Sequence, residues 1–287
     1  MLRKFSVPAL IAAMALVAGA CTLPPGPTPK SWTIRPASIK IIDGEDNDYN
    51  GDEPYVIQLG FRSKVGVNES SSTTVTSQCR TGTIPTAPGP DGTTVQIPAG
   101  GADTRFTGVQ NLDIGDVLLQ TAPLEILGTM SFVAERDAIF SSCALTDAFD
   151  QLLSSVLTDA LDLLIAAQPV PPTQEQLVAL LTDNIGHFLN AILSFLGTIL
   201  EGLGNPDDIV GVVAQIFLPT SGAFAGLIDA GLAIGGIFKP GLETGILPID
   251  STGLRIRIGQ MRSSSTTFSV EIPYAAKYDF TSTVIPG

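Results

Sequence analysis

Hydrophobic and polar residues follow two rhythms along this chain, and the change of rhythm divides it. Tyr55, Ile57, Leu59 and Phe61 alternate with their neighbours at period two and predict a strand, with a shorter one over Ser38–Ile42. Ser63 to Thr104 is rich in Ser, Thr, Gly and Pro, with strand candidates at Thr73–Cys79 and Thr93–Ile97 and a loop across the three prolines of Ile84–Gly92. Phe106–Val109, Val117–Gln120 and Leu124–Ala134 complete the first β-rich part.

The period then lengthens. Leu145, Phe149, Leu152, Leu153, Val156, Leu157, Ala160, Leu161 and Leu164 form a helical stripe, with Asp147, Asp150, Asp159 and Asp162 off it. Pro171-Pro172 break this helix, and Thr173-Gln-Glu-Gln176 has capping-box spacing for a second that reaches about Leu203. Asn205-Pro-Asp-Asp208 offers an N-cap, Pro at N1 and two carboxylates for the helix dipole, predicting a third helix that Pro219 ends. A fourth runs from Ser221 to Phe238.

After Lys239-Pro-Gly241 the alternation returns, at Leu254, Ile256 and Ile258, then Phe268, Val270 and Ile272, then Tyr278 and Phe280. These predict two or three antiparallel strands. The expected fold is α+β: an antiparallel β-sandwich-like domain from residues 32–136 and 242–287, with a four-helix subdomain inserted over 137–241. A β-domain, a helical domain and a C-terminal hairpin in series remain the alternative.

Charge sharpens the picture. Asp137 to Phe238 holds eleven acidic residues, one histidine and no lysine or arginine. The whole chain has 15 basic and 28 acidic residues. Such a balance repels nucleic acid and anionic headgroups, and favours cations or basic protein surfaces as partners.

The first 20 residues predict a signal peptide: Arg3 and Lys4 precede an apolar stretch of about 14 residues, too short for a bilayer span of roughly 20. Val17-Ala-Gly-Ala-Cys21 resembles the lipobox of bacterial lipoprotein precursors, departing from it at Ala18, where the commoner pattern has leucine. The resemblance implies that Cys21 becomes a lipidated first residue on the outer face of a bacterial membrane. An ordinary secretory signal is the competing expectation. Removing Arg3 and Lys4 leaves 13 basic against 28 acidic residues, a mature charge of −15. Residues 21–31 would form a tether stiffened by Pro24, Pro25, Pro27 and Pro29, about nine residues at ~3.1 Å each and roughly 28 Å of reach. Cys79 and Cys143 remain, and in an exported protein a disulfide is the default.

The most specific local pattern is Asp46-Asn-Asp48-Tyr-Asn50-Gly51-Asp52, within a stretch of six carboxylates in eleven residues from Asp43 to Glu53. Oxygens at positions 1, 3 and 5 with glycine at 6 suit Ca²⁺, with a backbone carbonyl from Asp52. Ile57 stands where an EF-hand has its bidentate glutamate, so the pattern resembles Asp-rich calcium loops between strands, with Glu135 and Asp137 as completing ligands. The competing expectation is a solvated acidic turn. The run Asp52-Glu-Pro-Tyr55 is similar to C2-like β-sandwich modules of uncharacterised bacterial proteins, over about a third of the chain, and the similarity carries no activity.

Catalytic signals are absent from the sequence. His187 is the sole histidine, and there is no G-x-S-x-G elbow, H-E-x-x-H, Walker A loop or G-x-G-x-x-G after a strand. One further feature stands out: 20 uncharged residues from Ile209 to Ile228, with small residues spaced by four at Gly222, Gly226 and Ala230 and at Gly231 and Gly235. These predict a close-packed helical hairpin facing a ligand or a membrane, with Asp229 opposing a resting transmembrane segment. The chain therefore reads as a non-enzymatic surface lipoprotein, calcium-stabilised at its acidic loop, whose helical part binds a partner protein or a lipid-like ligand. A protein that inserts into membranes or forms pores at low pH is the alternative.

Overall fold

A computed structural model describes residues 28–44, 51–119, 121–136, 143–169, 208–221, 254–259, 261–272 and 276–287, with isolated positions between 173 and 249. The expected signal segment, Cys21, most of the expected tether, Asp46, Asp48, Asn50, Asp137 and the small-residue spacings from Gly222 to Gly235 lie outside the described residues, as does most of the second and fourth expected helices.

Two sheets face each other. The first is built on β1 (Lys30–Asp43), which pairs with β12 (Ala276–Pro286) on one side; β11 (Ser264–Ile272) pairs in turn with β12. On its other side β1 meets β5 (Thr104–Val109) over its first half and β4 (Thr94–Gln96) over its second. Pro36 sits at the changeover, between Ile34, opposite Thr104, and Ser38, opposite Gln96. A proline has no N–H to give a ladder, so a central strand tolerates it at such a bulge. The β1–β12 register confirms that C-terminal strands complete the first sheet across the intervening residues, with Trp32 opposite Pro286 and Asp43 opposite Lys277.

The second sheet has the order β10-β7-β6-β2-β3, comprising β2 (Pro54–Lys64), β3 (Ser72–Ser77), β6 (Glu125–Glu135), β7 (Asp208–Pro219) and β10 (Leu254–Gly259); between β7 and β10 in sequence, β8 (Leu242–Glu243) and β9 (Pro248–Ile249) pair with each other. Its inner face meets the first sheet through Val56, Val133, Val210, Val213, Phe268 and Phe280. Its outer face presents Tyr55, Ile57, Leu59 and Phe61, the face expected from their alternation, to a helical layer.

That layer is α3, a continuous helical run made of Ala144–Ala148, Phe149–Leu153, Ser154–Leu161 and Asp162–Ala166, the second and fourth being π-helical. Two short helices precede it, α1 (Gln78–Thr81) and α2 (Ile114–Leu118). The sequence of α3 explains its irregularity. Leu145, Phe149, Leu153, Leu157, Leu161 and Ile165 recur every fourth residue. In an α-helix that spacing drifts by about 40° per step and would turn the stripe off the sheet. The wider π turns unwind the drift, and Leu145, Phe149, Leu157, Leu161 and Ile165 all stay buried on the sheet.

Three expectations are corrected. Ile209–Pro219 is not a helix but β7, so the four-helix insertion does not form as expected. Every position from Ile209 to Pro219 is buried, which produces an apolar run without alternation, and such a run does not distinguish a strand from a helix by period. In the expected strand Val117–Gln120, Val117 and Leu118 are helical instead, because Asp113 and Asp116 close a capping box that starts α2; Gln120 lies outside the described residues. The strand over Leu254–Gly259 is parallel to β7, not part of an antiparallel hairpin.

The expected first helix is present as α3. Gln176, Ala179, Leu180 and His187 are helical, in keeping with the second, and the Gln176 amide bonds the Thr173 hydroxyl at 3.4 Å.

Candidate functional site

The strand directions bring the acidic residues together. β1 ends at Asp43, β2 begins at Pro54, β6 ends at Glu135 and β7 begins at Asp208, all at one end of the sandwich. Glu135 lies opposite both Pro54 and Asp208 in register. Glu135 thus lies beside the residues that follow the acidic loop, and the Glu53 amide points to the Glu135 Oε1 at 3.5 Å.

The described part of the loop is tightly held. Gly44 donates its amide to Asp91 Oδ1 at 2.9 Å. Asp52 and Gly89 exchange backbone bonds, Asp52 N–H to Gly89 O at 3.1 Å and Gly89 N–H to Asp52 O at 2.9 Å. Gly51 precedes this bridge with φ +70°, and a Cβ there would lie 2.6 Å from the Gly89 carbonyl oxygen. Glycine is needed on both counts. The expected metal-ligand carbonyl of Asp52 is thus turned to Gly89.

The Asp52 side chain is also engaged. It is 1 % exposed, and Tyr278 of β12 donates its hydroxyl to Oδ2 at 2.5 Å. This residue of the expected loop links the two sheets. Among the described residues no group of three or more His, Cys, Asp or Glu side chains is placed to hold a metal ion.

The disulfide forms between Cys79 and Cys143, with Cα atoms 5.7 Å apart. It fastens α1, at the end of β3, to the start of α3. Arg80 adds ion pairs to Asp147 and Asp150, both at 2.9 Å. The Asp147 hydrogen bond raises the Arg80 pKa above its ordinary value. Thr146 and Ser77 hydroxyls meet at 3.1 Å beneath this clamp.

Between the sheets lies a feature the alternation reading missed. Gln58, fully buried, donates to the Ile34 and Ala102 carbonyls and the Thr104 hydroxyl, and accepts from Ser131. Gln215 donates to Ser282 at 2.8 Å. This polar band separates two apolar clusters, one around Ile39, Phe268 and Phe280 and the other around Trp32, Phe106 and Phe217. The available signal was a glutamine in the middle of Tyr55–Phe61, an apolar strand.

His187 is exposed. No helix among the described residues is long and apolar enough to cross a membrane. The helical hairpin behind the pore-forming alternative loses its first arm, since that arm is β7. Compared with family models, curated proteins and solved structures, the chain matches none.

Proposed function

We propose that this chain is an exported, lipid-anchored binding module without catalytic activity, which presents its acidic end away from the membrane. The observation that supports this is the course of β1. The chain passes from the Pro-rich segment into Lys30, and β1 carries it in one strand to Asp43 at the acidic end. Fourteen residues of bulged strand span roughly 40 Å. The opposite end holds the tether entry and the C-terminus, where the Gly287 amide bonds the Ser31 carbonyl at 3.0 Å. An anchor at Cys21 would therefore hold one end near the bilayer and leave the other free to meet a cation or a basic protein surface.

Ca²⁺ is the cation that the acidic loop suits, through Asp46, Asp48 and Asn50 beside the fixed Gly51–Asp52 turn. Melting curves with and without millimolar Ca²⁺ test this. At about 100 times the dissociation constant, binding to the folded state alone adds roughly 2.7 kcal/mol, and the midpoint rises by about 5–10 °C. An unchanged midpoint rejects the calcium site. Mass spectrometry of the N-terminal peptide tests the anchor separately, since an unmodified Cys21 in exported protein rejects it.

A further inference from the structure

One sheet edge lacks the devices that guard an edge against pairing, which are shortness, charge, proline and bulges. β3 is the last strand of the second sheet, and Ser72-Thr-Thr-Val-Thr-Ser77 contains no charge, proline or glycine. The other edges differ. β4 has three residues, and β5 carries Arg105 and, at φ +71°, Gly108. β10 carries Arg255 and Arg257, and β11 has additional interactions at Ser264, Thr266 and Ser269.

The bonding of β2 fixes which β3 residues look outward. Val65 donates its amide to the Leu124 carbonyl, on the β6 side. Lys64 donates its amide to the Ser70 hydroxyl at 3.0 Å, and its carbonyl accepts from that hydroxyl at 3.2 Å, on the β3 side. Successive strand residues turn their backbone groups to opposite sides. Gln58, Gly60 and Arg62 therefore serve β3 and engage their register partners Thr76, Thr74 and Ser72. Thr73 and Val75 turn their amides and carbonyls away from the sheet, where neither has a backbone partner. Val75 is 8 % exposed, its side chain lying in the cluster beneath α3, and Ser72 and Thr74 beside it are exposed. An unpaired backbone donor and acceptor on so buried a residue are unfavourable.

We propose that this edge pairs with β3 of a second copy of the chain, extending the second sheet across a two-fold axis. Antiparallel pairing centred on Thr74 sets Thr73 of each copy opposite Val75 of the other. All the outward amides and carbonyls of these residues are then satisfied at once. Ser72 faces Thr76, and Thr74 faces its own counterpart, hydroxyl pairs that suit neighbouring strands. The contact is short, so the association is weak and needs high concentration. α3 carries Asp147, Asp150, Asp159 and Asp162, with Arg80 paired to the first two. Like charge therefore opposes the approach of two copies, and salt strengthens it by screening. The antiparallel arrangement also sets the two Pro-rich segments at opposite ends of the pair. Copies anchored side by side on one membrane would not meet in this way, whereas a free copy would.

The test uses the chain from Cys21 to Gly287 with Cys21→Ser, so that an added cysteine is its sole free thiol. Sedimentation equilibrium from micromolar to millimolar protein is expected to show monomer and dimer, with more dimer at high salt. Thr74→Cys places two thiols on the axis, where strand residues that do not exchange bonds have Cα atoms about 4.5 Å apart, within disulfide reach. Mild oxidation is expected to link copies through position 74 several-fold faster than through Thr94→Cys, at an exposed position of β4. Thr73→Pro blocks the edge without removing a bond to β2, and Thr74→Glu sets like charges on the axis. Each is expected to weaken dimerisation at least tenfold. Circular dichroism checks the fold of both, and Thr74→Glu, at an exposed position, stands as the test should the proline unfold the chain. A chain that stays monomeric throughout overturns the proposal. So does a dimer that survives Thr74→Glu, or equal cross-linking at positions 74 and 94.

Discussion

The hydroxyl of Tyr278 donates to the carboxylate of Asp52 across 226 positions of sequence. It ties the N-terminal end of β12 in one sheet to a residue two positions before β2 in the other. Tyr278→Phe leaves the buried carboxylate short of a donor, which costs about 1–3 kcal/mol. Urea unfolding is expected to show a lower midpoint at unchanged slope. A midpoint equal to that of the parent would mean that the bond contributes nothing net.

The clamp at Cys79–Cys143 gives a larger effect. It closes a loop of 64 positions, and its loss by Cys79→Ser with Cys143→Ser costs about 4 kcal/mol in the chain-entropy model. Leu145, Phe149 and Leu157 remain buried on the sheet without it, so α3 is expected to stay docked. Circular dichroism should retain the helical signal below a lowered, still cooperative transition. Loss of the helix on substitution would show that the disulfide alone holds it.

Inside the sandwich, two hydroxyls one turn of alternation apart on β6 should respond oppositely. Ser131 donates to Gln58 at 2.9 Å, whereas the buried Thr129 hydroxyl has no protein partner. Ser131→Ala is expected to cost about 1 kcal/mol, and Thr129→Val to be neutral or mildly stabilising. A loss above about 1 kcal/mol for Thr129→Val would contradict this reading.

Gly128 in β6 allows neighbouring backbone to approach closely. A Cβ there would stand 2.2 Å from the Gln215 carbonyl oxygen and 2.6 Å from the Phe61 ring. Gly128→Ala therefore forces the β6–β7 ladder apart, at a cost of about 3 kcal/mol or more. Thermal denaturation of the purified variant measures it, and a loss below about 1 kcal/mol would show that the ladder yields easily.

These residues also show what was legible beforehand. Alternation revealed the inner faces of β11 and β12, whose other faces are less buried, and the outer face of β2, where Gln58 and Gly60 interrupt the apolar run on the equally buried inner side. It failed for β7, whose sides are both buried, and Asn205-Pro-Asp-Asp208 then supplied a persuasive helix start. The β-branched Ile209, Val210, Val212 and Val213 were the signal against it. The acidic loop was visible as composition, and Glu135 stands opposite Pro54, just after it. The role of Asp52 was not legible, since its partner Tyr278 is set by pairing between strands at opposite ends of the chain.

The register of β1 has a mechanical consequence. A chain held at Cys21 and pulled by whatever binds its far end would carry the load lengthwise along β1. β12 accompanies β1 from Trp32 to Asp43, with β5 and β4 on the other flank. Hydrogen bonds of an antiparallel pair lie across the strands. Tension along β1 thus shears many of them at once, where a pull across the sheet would open them singly. The strand that follows the Pro-rich segment is also the one best placed to resist being drawn out of the fold.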